Sequence, residues 1–178
     1  MTTAPAVWYL MRATGVVALL LTTLSFGLGV ATSNRWYPRG SRRWVTTTLH
    51  RNASLLSVVF LTIHVGTSVV DPDAQVRALA TFWPFGTPWW LATGTFSLDL
   101  LAAVIVTGLL RNRLSRGLWR TVHWTAYLAW PLAVVHTIGM GTDAHTLWLA
   151  GVTVACIAAI GGLVTWRLTE PAARAGSA

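Results

Sequence analysis

Four histidines carry the chemistry this sequence has to offer. His50 and His64 share one long apolar stretch with thirteen residues between them, and His123 and His136 share another with twelve between. An ionisable side chain inside hydrocarbon is costly, so each histidine there is a functional candidate. At a rise of about 1.5 Å per residue, the two histidines of one helix stand about 20 Å apart along its axis. That is too far for one metal ion. It suits two stacked iron porphyrins, one per leaflet, each gripped by a histidine from either helix. A neutral imidazole is a good iron ligand when its second nitrogen is held by an acceptor. The plainer account is four polar side chains making hydrogen bonds between helices. Two pairs at matching depth on two parallel helices favour ligation. Around the helix axis, the fourteen steps from His50 to His64 leave about 40°, whereas the thirteen steps from His123 to His136 leave about 140°. Pro131 lies between the second pair and is expected to kink or rewind that helix.

Other polar residues fall close by in depth. Asp99 lies at about the level of His64 and His136, where it is expected to accept a histidine N–H or to pair with Arg12. A plain packing bond to Ser or Thr is the competing account. Arg51 and Arg120 lie near His50 and His123, and their planar guanidinium groups suit carboxylates. Arg12 suits carboxylates at the other level. Both inner arginines also fit a purely topological role. Trp124 and Trp130 are candidates to line a cofactor face, although aromatic packing is the default. His145, beside Thr142 and Asp143, is expected to be a loop residue.

The elements that must hold these groups follow from composition. Of 178 residues, 10% are charged and 54% belong to the apolar set. A soluble domain carries about 25% charged residues, so this surface is not mostly wet. The fold expected is all-α, an integral membrane bundle of about five transmembrane helices near 6–31, 45–70, 90–110, 119–140 and 146–168, forming a single haem-binding domain over 1–178. The first stretch is too long for a signal peptide, and no A-x-A-like site closes it. Every basic residue is Arg, and the net charge of +8 comes from short clusters between apolar runs, which argues for membrane topology and against nucleic acid. Arg35, Arg39, Arg42, Arg43 and Arg51 mark one link or its edge. Arg111, Arg113, Arg116 and Arg120 mark another. The remaining links hold Asp71, Asp73 and Arg77, and Asp143. The Arg-rich links are expected in the cytoplasm, with the N-terminus outside and Arg167 and Arg174 inside. The segment 71–89, with Pro72, Pro84, Gly86 and Pro88 among aromatic residues, is expected to be an outer loop dipping into the interface. Cys156 stands alone, so an intrachain disulfide and Cys-ligated zinc or iron–sulfur sites are excluded. No internal repeat is expected.

The run Trp119-Arg120-Thr121-Val122-His123-Trp124-Thr125-Ala126-Tyr127-Leu128-Ala129-Trp130-Pro131-Leu132 through His136, with Gly139 and Gly141-Thr142-Asp143, resembles the ferric reductase-like transmembrane domain of bacteria. His50-Arg51 through Thr62-Ile63-His64, followed by Asp71-Pro72, resembles it too, and the likeness covers roughly residues 10–165. The histidine spacing is also similar to that of NADPH oxidases and yeast ferric reductases. The resemblance implies two haem b groups, His50 with His123 holding the inner one and His64 with His136 the outer one. It implies electrons crossing the membrane, usually outward from a cytoplasmic flavin. It extends to the haem subunit of a periplasmic methionine sulfoxide reductase system. Unlike the full enzymes, this sequence shows no flavin or NADPH domain with a dinucleotide-binding glycine motif, and no extra N-terminal helix. It therefore implies an oxidoreductase component, surrounded by membrane lipid, with a separate flavoprotein or quinol as donor and an unknown acceptor on the outer face. Two rival expectations are a cofactor-free membrane anchor for a redox partner and a transporter lined by His and Asp99. The transporter lacks the inverted repeats or broken-helix pair that would favour it.

Overall fold

A chain that must bury its own backbone polar groups in lipid has helices as its simplest solution. The structure, a computed structural model, describes residues 4–33, 43–74, 76–140 and 146–175, and among them there is no strand. The helices are α1 (Ala4–Ser33), α2 (Arg43–Val70), α3 (Trp89–Leu109), α4 (Arg116–Trp124), α5 (Ala126–Met140) and α6 (Leu147–Ala175), with short 3₁₀ turns at Ala78–Thr81 and Arg111–Arg113. Four of them hold segments long and apolar enough to cross a membrane: Ala6–Thr32, Arg43–Val70, Trp89–Leu109 and Leu147–Trp166. Many threonines inside these spans turn the hydroxyl back onto a carbonyl four residues earlier, as Thr22 does to Ala18 at 2.7 Å and Thr153 to Leu149 at 2.9 Å. This satisfies the hydroxyl without a neighbour.

The fifth expected span is composite. The chain breaks at Thr125, between α4 and α5, and α3 touches both pieces. Bonding at the joint is of the tighter i→i+3 kind: Thr125 N–H donates to Val122 O at 3.0 Å, and Leu128 N–H to Thr125 O at 2.9 Å. Pro131 runs inside α5, so the interruption comes six residues before the expected place. Pro131 has no N–H to give the Tyr127 carbonyl. The turn it weakens directly follows the joint. A 3₁₀ turn advances about 120° per residue against about 100° in an α-helix, so the joint narrows the angle that thirteen regular steps would leave between His123 and His136.

The bundle is two hairpin-like pairs facing each other. α1 packs along α2, α3 packs along α5, and α1 also touches α5 and α6. α2 makes no extended contact with α4 or α5. The core lies where α1, α5 and α6 meet, around Leu19, Trp130, Val134, Cys156 and Ile160, with Phe26 against them. The Trp130 indole donates to Thr23 Oγ1 at 2.9 Å. Cys156 is buried there, as a small apolar residue should be. Between α3 and α5, Ala129 is fully buried, and Ser97 Oγ donates to its carbonyl at 2.8 Å.

The link after α2 folds against α3. Thr95 Oγ1 donates to Ala80 O at 2.7 Å, Gly86 turns at φ 80°, and Phe82, Trp83, Phe85 and Trp89 stay exposed. Such exposed rings suit a membrane interface. Ala129→Leu is expected to overpack the α3–α5 seam and destabilise the fold by about 1–3 kcal/mol, whereas Ala102→Leu, on the exposed face of α3, stays near wild type. Unfolding midpoints in detergent check the difference.

Candidate functional site

An imidazole can ligate through Nε2 only if Nδ1 carries the proton, and a buried N–H needs an acceptor. Three of the four intramembrane histidines meet that condition in the same way. His64 Nδ1 lies 2.8 Å from Met11 O, His50 Nδ1 lies 2.8 Å from Ser25 O, and His136 Nδ1 lies 2.9 Å from Trp90 O. A carbonyl only accepts, so Nδ1 is the donor in each and Nε2 is left bare. Ser25 Oγ stands 3.3 Å from His50 Nδ1 as well.

Each acceptor lies four residues before a glycine, and the ring rests on that glycine. A methyl group on Gly94 would come within 2.5 Å of His136 Nδ1, and one on Gly15 within 2.8 Å of His64 Nδ1. At Gly29 it would meet His50 Cε1 at 3.3 Å. The glycines let a ring approach the helix closely enough to reach a carbonyl. α1 thereby seats both histidines of α2, and α3 seats His136.

The four rings pair up between the two helix pairs. His64 and His136 have ring centroids 6.4 Å apart with planes at 76°, and His50 and His123 repeat this at 6.4 Å and 78°. Imidazole–metal bonds of about 2.0–2.1 Å, plus about 1.1 Å from each nitrogen to its ring centre, put the centroids of a linear imidazole–metal–imidazole unit about 6.3 Å apart. Both pairs stand at that separation. Among the described residues no group of three or more His, Cys, Asp or Glu converges as a metal site. A metal at either level would thus have two protein ligands and would need a partner to supply the rest, as a porphyrin does.

A cavity adjoins each pair. One of about 330 Å³ is lined by His64, His136, Arg12, Gly15 and Gly94 among others. Another of about 640 Å³ is lined by His50, His123, Gly29, Arg51, Arg111 and Trp119 among others. Both fall in the range of about 300–1,000 Å³ usual for ligand sites. Around the larger cavity, Trp119 stacks on His123 at 4.9 Å, and Arg111 lies 4.5 Å over the Trp119 ring. Trp119 Nε1 and His123 Nδ1 are buried with no hydrogen-bond partner.

The expected supporting residues divide. Arg12 borders the smaller cavity, its guanidinium 4.3 Å over Trp8, and Arg51 borders the larger. Arg120 is exposed on α4 and lines neither cavity; Arg111, which the sequence offered only as a topology marker, stands there instead. Asp99 is also exposed and lines neither cavity. The histidine N–H groups it was expected to accept are taken by the carbonyls of Met11 and Trp90. Trp124 and Trp130 both line the larger cavity, with Trp130 buried. Arg35, Arg39, Arg42, Thr142, Asp143 and His145 lie outside the described residues. The glycine seats were missed, yet a signal exists. Gly15 and Gly29 are spaced like His64 and His50, and Ala-Thr-Gly occurs at both 13–15 and 92–94. This is a short internal recurrence where none was expected.

A protein-family model described as "Ferric reductase like transmembrane component" matches residues 14–134. No curated protein and no solved structure matches the chain.

Gly94→Ala and Gly15→Ala are expected to unseat their rings, costing about 1–3 kcal/mol by overpacking. Gly66→Ala, whose methyl would meet nothing within 4 Å, should be neutral. Unfolding midpoints, with titration of a metalloporphyrin into each variant, check both claims.

Proposed function

The chain belongs to the ferric reductase-like transmembrane family, and from that premise we propose that it carries electrons across a membrane by means of two haem b groups. His64 and His136 would hold one, and His50 and His123 the other. The observation that carries this reading is the pair of facing imidazoles at 6.4 Å, repeated at both levels. Each haem, when bound, supplies an iron that takes up and releases one electron.

The chain's own residues do the rest. Helix carbonyls hold three imidazoles in the tautomer that bares Nε2 and raise their basicity as ligands. A pair of histidines at each level would hold the group and leave no protein-side opening for a substrate, which would favour electron transfer over chemistry at iron. Arg51, Arg111 and the unpartnered Trp119 Nε1–H offer cationic and hydrogen-bonding groups to the carboxylates of a porphyrin in the larger cavity. Arg12 offers the same in the smaller one. The cavity linings are mostly apolar, which would limit water around a bound porphyrin.

The Arg-rich links support an orientation with His50 and His123 toward the cytoplasm of a cell-membrane protein. The donor is then a reduced flavoprotein or a membrane quinol on that side, and the acceptor an oxidant on the outer side.

Purified in the presence of haem, the wild-type chain is expected to give low-spin absorbance for two haems per chain. His50→Ala and His123→Ala should remove one component, and His64→Ala and His136→Ala the other. Reduced-minus-oxidised spectra with a haem-to-protein ratio are the check. Four variants that keep the full spectrum would rule the reading out.

A further inference from the structure

His123 breaks the pattern of the other three histidines. Its Nδ1 is buried and has no hydrogen-bond partner, although its separation and angle to His50 match those of the opposite pair. If Nε2 is to ligate, Nδ1 must carry a proton, and a buried N–H without an acceptor is costly.

The missing seat exists on α3. Gly108 follows Gly94 by fourteen residues, the spacing that separates Gly15 from Gly29 on α1. A threonine precedes the glycine at Gly15, Gly94 and Gly108, and its hydroxyl donates to the carbonyl four residues before that glycine. Thr93 does so to Trp90 at 2.7 Å, while Thr14 and Thr107 reach Met11 at 3.0 Å and Val104 at 3.2 Å beside shorter bonds to Leu10 and Ala103, each at 2.7 Å. Met11 and Trp90 are the carbonyls that hold His64 and His136. Val104 is their counterpart. α3 and α5 pack together with Trp90 at His136. Thirteen residues before His136 stands His123, and fourteen after Trp90 stands Val104. Val104, Gly108 and His123 border the same cavity. Gly108 is also open: a methyl group there would meet nothing within 4 Å.

We infer that the Val104 carbonyl, reached over Gly108, is the acceptor for His123 Nδ1–H in the haem-loaded protein. Val104 and Gly108 are then positioning residues for the His123 ligand. This rests on the proposed role of His123 as an iron ligand.

The test uses the full-length, haem-loaded chain. Gly108→Ala is harmless to the helix itself, since Ala is the better helix former and the methyl has room in the structure as it stands. If His123 seats on Gly108, the substitution shifts the midpoint potential and the electron-paramagnetic-resonance signature of the centre that His50→Ala abolishes. The centre that His64→Ala abolishes stays unchanged, and Gly117→Ala, also in open space, alters neither. In wild type, an isotope-labelled Val104 carbonyl carbon should show a short dipolar contact to a labelled histidine Nδ1, and that contact should vanish in Gly108→Ala. Two intact haem signatures with a silent Gly108→Ala overturn this inference alone. So does an altered centre with no Val104 contact in wild type, because the methyl would then be crowding something other than the ring. A wild-type chain that takes up no haem overturns the functional reading, and this inference with it.

Discussion

A ligating imidazole in a membrane interior needs a hydrogen-bond acceptor on its far side, and the supply of acceptors there is short. Water is scarce and carboxylates are expensive. What a bundle of helices has in quantity is backbone carbonyls, but each is sheathed by the side chains around it. A glycine one turn further along removes that sheath. The bond from Nδ1 to Met11, Ser25 or Trp90 is therefore the constraint from which the arrangement of α1 to α5 follows. It requires each histidine-bearing helix to lie flush against a glycine-bearing one.

That requirement accounts for the architecture. α2 is clasped by α1, and α5 by α3, while α2 makes no extended contact with α4 or α5. A bundle packed only for apolar contact would close such a gap. Here His50, His64 and His136 are each seated on a glycine-bearing helix, and the two helix pairs meet through the paired rings. α6 is peripheral to this. It covers α1 and contributes Cys156 and Ile160 to the core.

Much of this was legible in the residues. The long apolar runs marked the spans, and the depth of the histidines paired them, because both properties are written in side-chain type. The rest was written in residues that give little signal. Gly15, Gly29 and Gly94 carry a signal only in their spacing and in the repeated Ala-Thr-Gly, which gains meaning once their neighbours are known. The joint at Thr125 lies between Trp124 and Ala126, neither of them a helix breaker, while the conspicuous Pro131 sits within a helix. Asp99 drew attention because a carboxylate in an apolar run is rare, but its place on the outward face of α3 depends on helix rotation, which the weak amphipathic pattern of that segment does not reveal. Arg111 and Arg120 look alike as members of one basic cluster. Only the turn at Arg111–Arg113 brings the first of them over Trp119.

Leu101 borders both cavities, and Trp130, with Phe26 beside it, stands between the level of His64 and that of His50. Leu19 and Val134 back this wall, and the Thr23 hydroxyl within it is committed to the indole. A sodium ion or proton arriving at either cavity would have to shed its hydration to go further, which is a large penalty in so apolar a place. The apolar side chains of this wall thus oppose the passage of ions between the two cavities while leaving an electron a short path.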